Sequence, residues 1–144
     1  MEIRTTTRIT SATYQDALAI RQNVFVKEQH VDPALEVDAN EAKCTYFVAY
    51  EAGLPIGCGR LLPEDYGYHI QRVAVEKAFR HRGVGAALLK AMRTFASEVQ
   101  APELRLDAQL QAVGFYKALG YTPTDRPVFE EAGIQHQQMH LLLK

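Results

Sequence analysis

Tryptophan is absent from this 144-residue chain, and cysteine occurs only twice, at Cys44 and Cys58, each inside an apolar run. Two such thiols make no disulfide framework and read as small buried hydrophobes of a reducing compartment. CxxC, HExxH and Cys/His clusters are missing, so the expectation is no metal. No apolar run approaches the roughly 18 residues of a membrane span, and the opening MEIRTTTRITSATYQ has no secretory apolar segment. A cytoplasmic protein with no membrane partner is expected. Charge of one sign is also lacking, with 16 Lys+Arg against 17 Asp+Glu. Bulk electrostatic coating of nucleic acid is thereby excluded, although a local basic patch is not.

What the chain does have is 47% hydrophobic residues, enough at this length for a self-sufficient core. No repeat, low-complexity tract or Ser/Gly-rich linker divides it, so residues 1–144 read as one domain. A polar-alternating strand spans about residues 2–10. A helix follows from about Thr13, with Thr13 and Asp16 as N-cap and N3 and an apolar stripe from Tyr14 to Phe25. The segment around Pro33 and Asn40 reads as a loop or short irregular helix. Runs 44–50, 56–62 and 68–75 should form an antiparallel meander. In the third, the apolar phase slips from Tyr68/Ile70 to Val73/Val75, as a β-bulge would cause. Helical spacing of Val84, Leu88, Ala91, Met92, Phe95 and Val99 predicts a long helix over about 80–100. Leu104–Leu106 reads as a short strand, Gln109–Leu119 as a helix capped by Gly120, and 128–129 and 139–143 as strands. The class is α/β (α+β), with a mixed, mostly antiparallel sheet of about six or seven strands flanked by helices.

Chemistry concentrates in residues 71–93, QRVAVEKAFRHRGVGAALLKAMR. A buried-type strand leads through Arg80-His81-Arg82-Gly83-Val84-Gly85-Ala86 into the long helix. Gly83 and Gly85 let backbone N–H groups approach a ligand, and the helix start adds its positive dipole end, which together make an anion site. The segment carries Arg72, Lys77, Arg80, Arg82, Lys90 and Arg93 against the single acid Glu76. GxxxxGK[ST] is absent, and GxGxxG fails because Leu88 stands three residues after Gly85.

Arg80-x-x-Gly83-x-Gly85-Ala86 after Arg72–Val75 resembles the acyl-CoA pyrophosphate signature, [QR]-x-x-G-x-[GA], of the GCN5-related N-acetyltransferases (GNAT). Phe115-Tyr116-Lys-Ala-Leu-Gly120-Tyr121 resembles that superfamily's second signature. The resemblance extends over nearly the whole chain. Val24-Phe25-Val26-x-Glu28-Gln29, Leu106-Asp107-Ala108-Gln109 and Phe129-x-Glu131-Ala132-Gly133-Ile134-x-His136 are similar to the ElaA/YjcF-like branch.

The resemblance implies acetyl-CoA as cosubstrate and a small-molecule or peptide amine as acceptor, and it admits a homodimer. It implies that Arg80, His81, Arg82, Gly83, Val84, Gly85 and Ala86 hold the pyrophosphate. Backbone groups of Val73, Ala74 and Val75 would pair with the pantetheine arm, with Gln109, where many relatives carry Asn, and Phe115 nearby. Tyr116 is the implied general acid for the departing thiolate, since a phenol stays protonated at neutral pH. As an alternative, Tyr116 is an aromatic of an amphipathic helix face. The general base is open among Glu28, His69 and His136, of which Glu28 and His136 are also candidate acceptor-binding residues. Glu28, Asp32, Glu36, Asp38 and Glu41 form an acidic run without Lys or Arg. It reads either as a solvated loop or as an acidic pole that favours a cationic amine. A non-catalytic acyl-CoA sensing module on the same fold is the competing expectation. A nucleic-acid module using the arginines of 72–93 lacks the stacking aromatics such modules use.

Overall fold

Strands β1 (Glu2–Thr6), β2 (Thr45–Glu51), β3 (Leu54–Glu64) and β4 (Gly67–Val75) pair antiparallel in chain order, which gives the meander expected over residues 44–75. The computed structural model describes residues 1–143. Strand β4 pairs in parallel with β5 (Glu103–Gln109), and β5 pairs antiparallel with β8 (Ile134–Leu142), which also carries β6 (Thr122–Pro123) and β7 (Phe129–Glu131). The result is the mixed, mostly antiparallel sheet expected, with eight strands in place of six or seven. The strand expected at 128–129 is β7, and the addition is the two-residue β6, too brief for a period to show in sequence.

Helix α1 (Ala12–Arg21) begins two residues earlier than expected: Ser11, not Thr13, is the N-cap, and its hydroxyl accepts from Tyr14 N at 3.1 Å. The chain continues from α1 without a break into a π-helical stretch, Gln22–Glu28, and then into the short α2 (Pro33–Glu36), where Asp32 accepts from Ala34 N. Helix α3 (Val84–Glu98) is the amphipathic helix predicted. Helix α4 (Val113–Ala118) follows a 3₁₀ turn, Leu110–Ala112, and ends at Gly120, whose φ of +99° favours glycine.

The sheet separates two apolar layers. Helix α3 covers Ile56, Leu61, Ile70, Leu104 and Leu106, while α1 covers Tyr46, Val48, Cys58, Leu62 and Ala74. The phase slip in β4 is the bulge the sequence suggested. Cys58 faces Ala74 and Arg60 faces Gln71, so Arg72 and Val73 together stand opposite Gly59. Arg72 absorbs the extra residue at φ +57°. Ile70 and Val73 consequently face the same layer, which strict alternation would forbid.

Beneath α1 the acidic run meets arginines from three other elements. Arg21, 1% exposed, donates to Glu36 Oε1 at 2.6 Å and to Glu41 Oε1 at 2.8 Å. Arg60, fully buried, donates to Glu41 Oε2 and Asp38 Oδ2, both at 2.9 Å. Arg72 donates to the Glu36 carbonyl and pairs with Asp38. Glu36, Asp38 and Glu41 are therefore neither solvated nor an uncompensated negative pole. The ion pairs of Arg21 and Arg60 hold the Glu41 carboxyl well below the usual carboxylate range, against the opposing effect of burial. Because that value is depressed on folding, the ion pairs add stability above the ordinary carboxyl range and lose it as pH falls. Removing one partner leaves its counter-ions buried and unpaired. Arg21→Ala is expected to destabilise the fold by about 3–5 kcal/mol, and Glu41→Gln to flatten the acid side of the stability profile, both read by denaturant unfolding across pH.

Candidate active site

The β4–β5 pairing covers only four positions, from Gly67/Glu103 to Ile70/Leu106. The strands pack tightly at Gly67, where a Cβ would collide with the Glu103 carbonyl oxygen. Beyond Ile70 the bulge carries Gln71–Val75 away, and no further β4–β5 pair forms among the described residues. The backbone of Val73–Val75 is thus left without a β5 neighbour. A cavity of about 380 Å³ occupies this fork, lined by Val73, Ala108, Gln109, Tyr116, His69 and His136, among others.

One end of the fork runs to the glycine loop. Gly83 stands at φ +81° and caps α3 without a side-chain acceptor, and His81 adopts φ +63°. Among the described residues, the N–H groups of Val84, Gly85 and Ala86 have no backbone acceptor; the first α3 bond is Ala87 N to Gly83 O. These are free donors at the positive end of a 15-residue helix. Arg80 donates from Nε to Val75 O at 2.9 Å, which staples the loop to the end of β4. Its other nitrogens clasp the Glu28 carboxylate at 2.6 and 2.7 Å. Arg82 lies over the Phe79 ring. Phe115 closes on the same loop, 3.4 Å from where a Gly85 Cβ would lie.

Tyr116 enters the cavity from α4, with its ring edge-on to Phe115 and Tyr121. Burial pushes its phenol up to about 12, so it remains a proton donor across the neutral range. The opposite wall is built on alternation in β5. Leu104, Leu106 and Ala108 are buried in the α3 layer, which turns Arg105, Asp107 and Gln109 to the other face. The sequence reading confined this strand to Leu104–Leu106 and so gave Asp107 no direction.

His69 lies across from Asp107, with Nε2 3.0 Å from Asp107 Oδ2 and Nδ1 2.5 Å from the Tyr66 hydroxyl. His136 faces Gln109 in the β5–β8 register. Its Nδ1 lies 2.8 Å from the Ile134 carbonyl and its ring stacks on Phe129. A carbonyl only accepts, so Nδ1 carries a proton, and in the neutral imidazole the lone pair is on Nε2. Glu28 is engaged by Arg80, which lowers its carboxyl, and it does not line the cavity. Gln109 donates to Gln29 at 3.1 Å. The fork thus brings together Val73–Val75, Gln109, Tyr116, His69 and His136 and leaves Glu28 at the loop. Sequence reasoning had no separate place for Tyr66, Gln29 or Asp107, since no local spacing links Tyr66 to Asp107.

Cys58 is fully buried, with its thiol pushed up to about 12 by desolvation, and burial also raises Cys44. Neither is a nucleophile for an acyl-enzyme.

The sequence profile of the Acetyltransferase (GNAT) domain matches residues 9–143. The uncharacterized N-acetyltransferase YjcF of Bacillus subtilis is 39% identical over 125 residues, 87% of this chain and 89% of the relative. The chain belongs to the GNAT acetyltransferase family. Among solved structures, a Lactobacillus plantarum protein provisionally described as an N-acetyltransferase superposes with a TM-score of 0.90 at 32% identity, covering 99% of this chain and 98% of that one. Escherichia coli ElaA follows the same fold, with a TM-score of 0.85 at 24% identity over 96% and 97% of the two chains. Membership in GNAT supports acyl-CoA-dependent acyl transfer, and the free N–H groups, the open β4 backbone and the cavity fit such a cosubstrate. The Gly83 and Gly85 positions border that donor cradle, so a carboxylate there meets any anionic ligand with like charge. Gly83→Glu and Gly85→Glu should abolish acetyl-CoA binding by titration calorimetry.

Proposed function

We propose that this protein is a single-domain, cytoplasmic N-acetyltransferase that moves an acetyl group from acetyl-CoA directly to a primary amine. The observation that carries the reading is the fork itself. A strand backbone left open on its β5 side runs from uncapped helix N–H donors at one end to a half-buried, protonated phenol at the other. Backbone N–H groups of Arg82–Ala86 bind the pyrophosphate, with Arg80 and His81 shaping the loop. Val73–Val75 pair with the pantetheine arm as an added strand would, beside Gln109 and Phe115.

Transfer forms a C–N bond and breaks the C–S bond. The amine enters bearing an extra proton, which leaves before attack, and Tyr116 gives its proton to the departing thiolate. The attacking nitrogen's second proton restores the phenol, so one proton reaches solvent for each acetyl moved. His136 suits the first proton transfer: its Nδ1 is fixed on the Ile134 carbonyl, and Nε2 presents a lone pair at the cavity. His69 has both ring nitrogens engaged and acts through Asp107.

Thiol release measured across an amine panel separates this reading from a sensing module. Tight acetyl-CoA binding with no amine-stimulated release would sink the enzyme. Tyr116→Phe should lower kcat by roughly 10²-fold, within the range for a lost general acid, with acetyl-CoA affinity unchanged; an unaltered kcat would remove Tyr116 from the acid role.

A further inference from the structure

Two residues that line the cavity each have a carboxylate oxygen with no hydrogen-bond donor among the described residues, Asp107 Oδ1 and Glu36 Oε2. Each is shut off from solvent, where an acceptor without a donor is costly unless a ligand completes it. The two differ in their cations. Glu36 is 2% exposed on its side chain and has ion pairs with Arg21 and Arg72. Asp107 has no Arg or Lys within ion-pairing distance among the described residues, and its one charged-type contact is His69. The nearby Arg105 is committed elsewhere, donating to Glu103 at 2.7 Å and stacking on Tyr66.

The contact with His69 holds Asp107 in place. The Tyr66 hydroxyl is the partner of Nδ1 and donates to it when the imidazole is neutral. An imidazole that accepts at Nδ1 donates from Nε2, and this proton goes to Asp107 Oδ2. The chain Tyr66–His69–Asp107 therefore consumes one carboxylate oxygen and fixes the other. In β5, Asp107 lies two residues before Gln109, whose register partner is His136, so all three share one face of the sheet.

We infer that the acetyl acceptor docks as a cation, its ammonium on Asp107 Oδ1, with Glu36 Oε2 receiving a further donor of the same molecule. Asp107 is then the residue that selects a cationic amine, and Tyr66 and His69 are positioning residues behind it. The cation preference resides in this one carboxylate and not in the acidic run 28–41, where Arg80 holds Glu28 and Arg21, Arg60 and Arg72 hold Glu36, Asp38 and Glu41. This inference rests on the amine-transfer reading above.

The test uses the full chain with putrescine, spermidine and Nα-acetyl-lysine amide as cationic probes, aniline as a neutral amine and glutamate as an acidic one. The wild type should prefer the cationic probes. Asp107→Asn should raise their KM by about tenfold or more, as for a lost charge-assisted contact, with acetyl-CoA affinity and the use of aniline unchanged. Asp107→Glu should recover part of the loss, and Tyr66→Phe or His69→Gln should raise KM while kcat is largely kept. Retained acetyl-CoA binding in each variant shows that it has folded. An unchanged KM for the cationic probes in Asp107→Asn, or a wild type that prefers glutamate or aniline, would overturn the inference. A wild type that binds acetyl-CoA but acetylates none of the five amines fails differently, since that outcome defeats the amine-transfer reading beneath it as well.

Discussion

The bulge at Arg72 is the constraint on which the rest of the site depends. One extra residue in β4, absorbed at φ +57°, turns the strand away from β5 after only four paired positions. Three consequences follow from that displacement. The backbone of Val73–Val75 is left with hydrogen-bonding capacity that no β5 residue uses, and a cavity opens between strands that would otherwise have zipped together. The Arg72 side chain also reaches Glu36 and Asp38, which draws the segment after the π-helical stretch onto the cavity rim. A regular β4 would have none of these, because continued pairing with β5 would fill the fork with ladder hydrogen bonds.

The two ends of the fork carry opposite electrostatics from different sources. At the glycine loop the positive character comes from backbone N–H groups at the head of α3, and the arginines beside it are partly occupied, Arg80 with Glu28 and Arg82 on Phe79. At the other end the negative character comes from carboxylates, but not in the way formal charge suggests. Two buried arginines and the half-buried Arg72 compensate Glu36, Asp38 and Glu41, and that cage serves to pin the wall of the cavity. The carboxylate with no arginine or lysine partner among the described residues is that of Asp107, held in place by His69.

Much of the fold was legible in the sequence because it rests on period. The α3 stripe, the meander, the phase slip at residues 70–73 and the Gly120 cap each leave a local signature that burial on one face enforces. The boundaries of β5 were not legible, since Asp107 and Gln109 interrupt an apolar run that pairing with β8 nevertheless keeps extended. Nor was the π-helical stretch, because its residues read as a continuation of the stripe of α1. The glycine loop and Tyr116 were visible as motifs. The partnership of Tyr66, His69 and Asp107 was not, since it joins positions 38 residues apart.

The sequence by itself determined the class of fold, the family and the place of the glycine loop, because these depend on spacing within single segments. The tertiary structure alone decided which charges are spent and which remain. Arg21, Arg60 and Arg72 come from three separate elements to neutralise an acidic run that contains no cation of its own. Asp107, one acid among seventeen, faces the cavity with no such partner. Net charge sums residues wherever they lie, whereas an ion pair requires atoms within a few ångströms and shielded from water, and only the folded chain sets those distances.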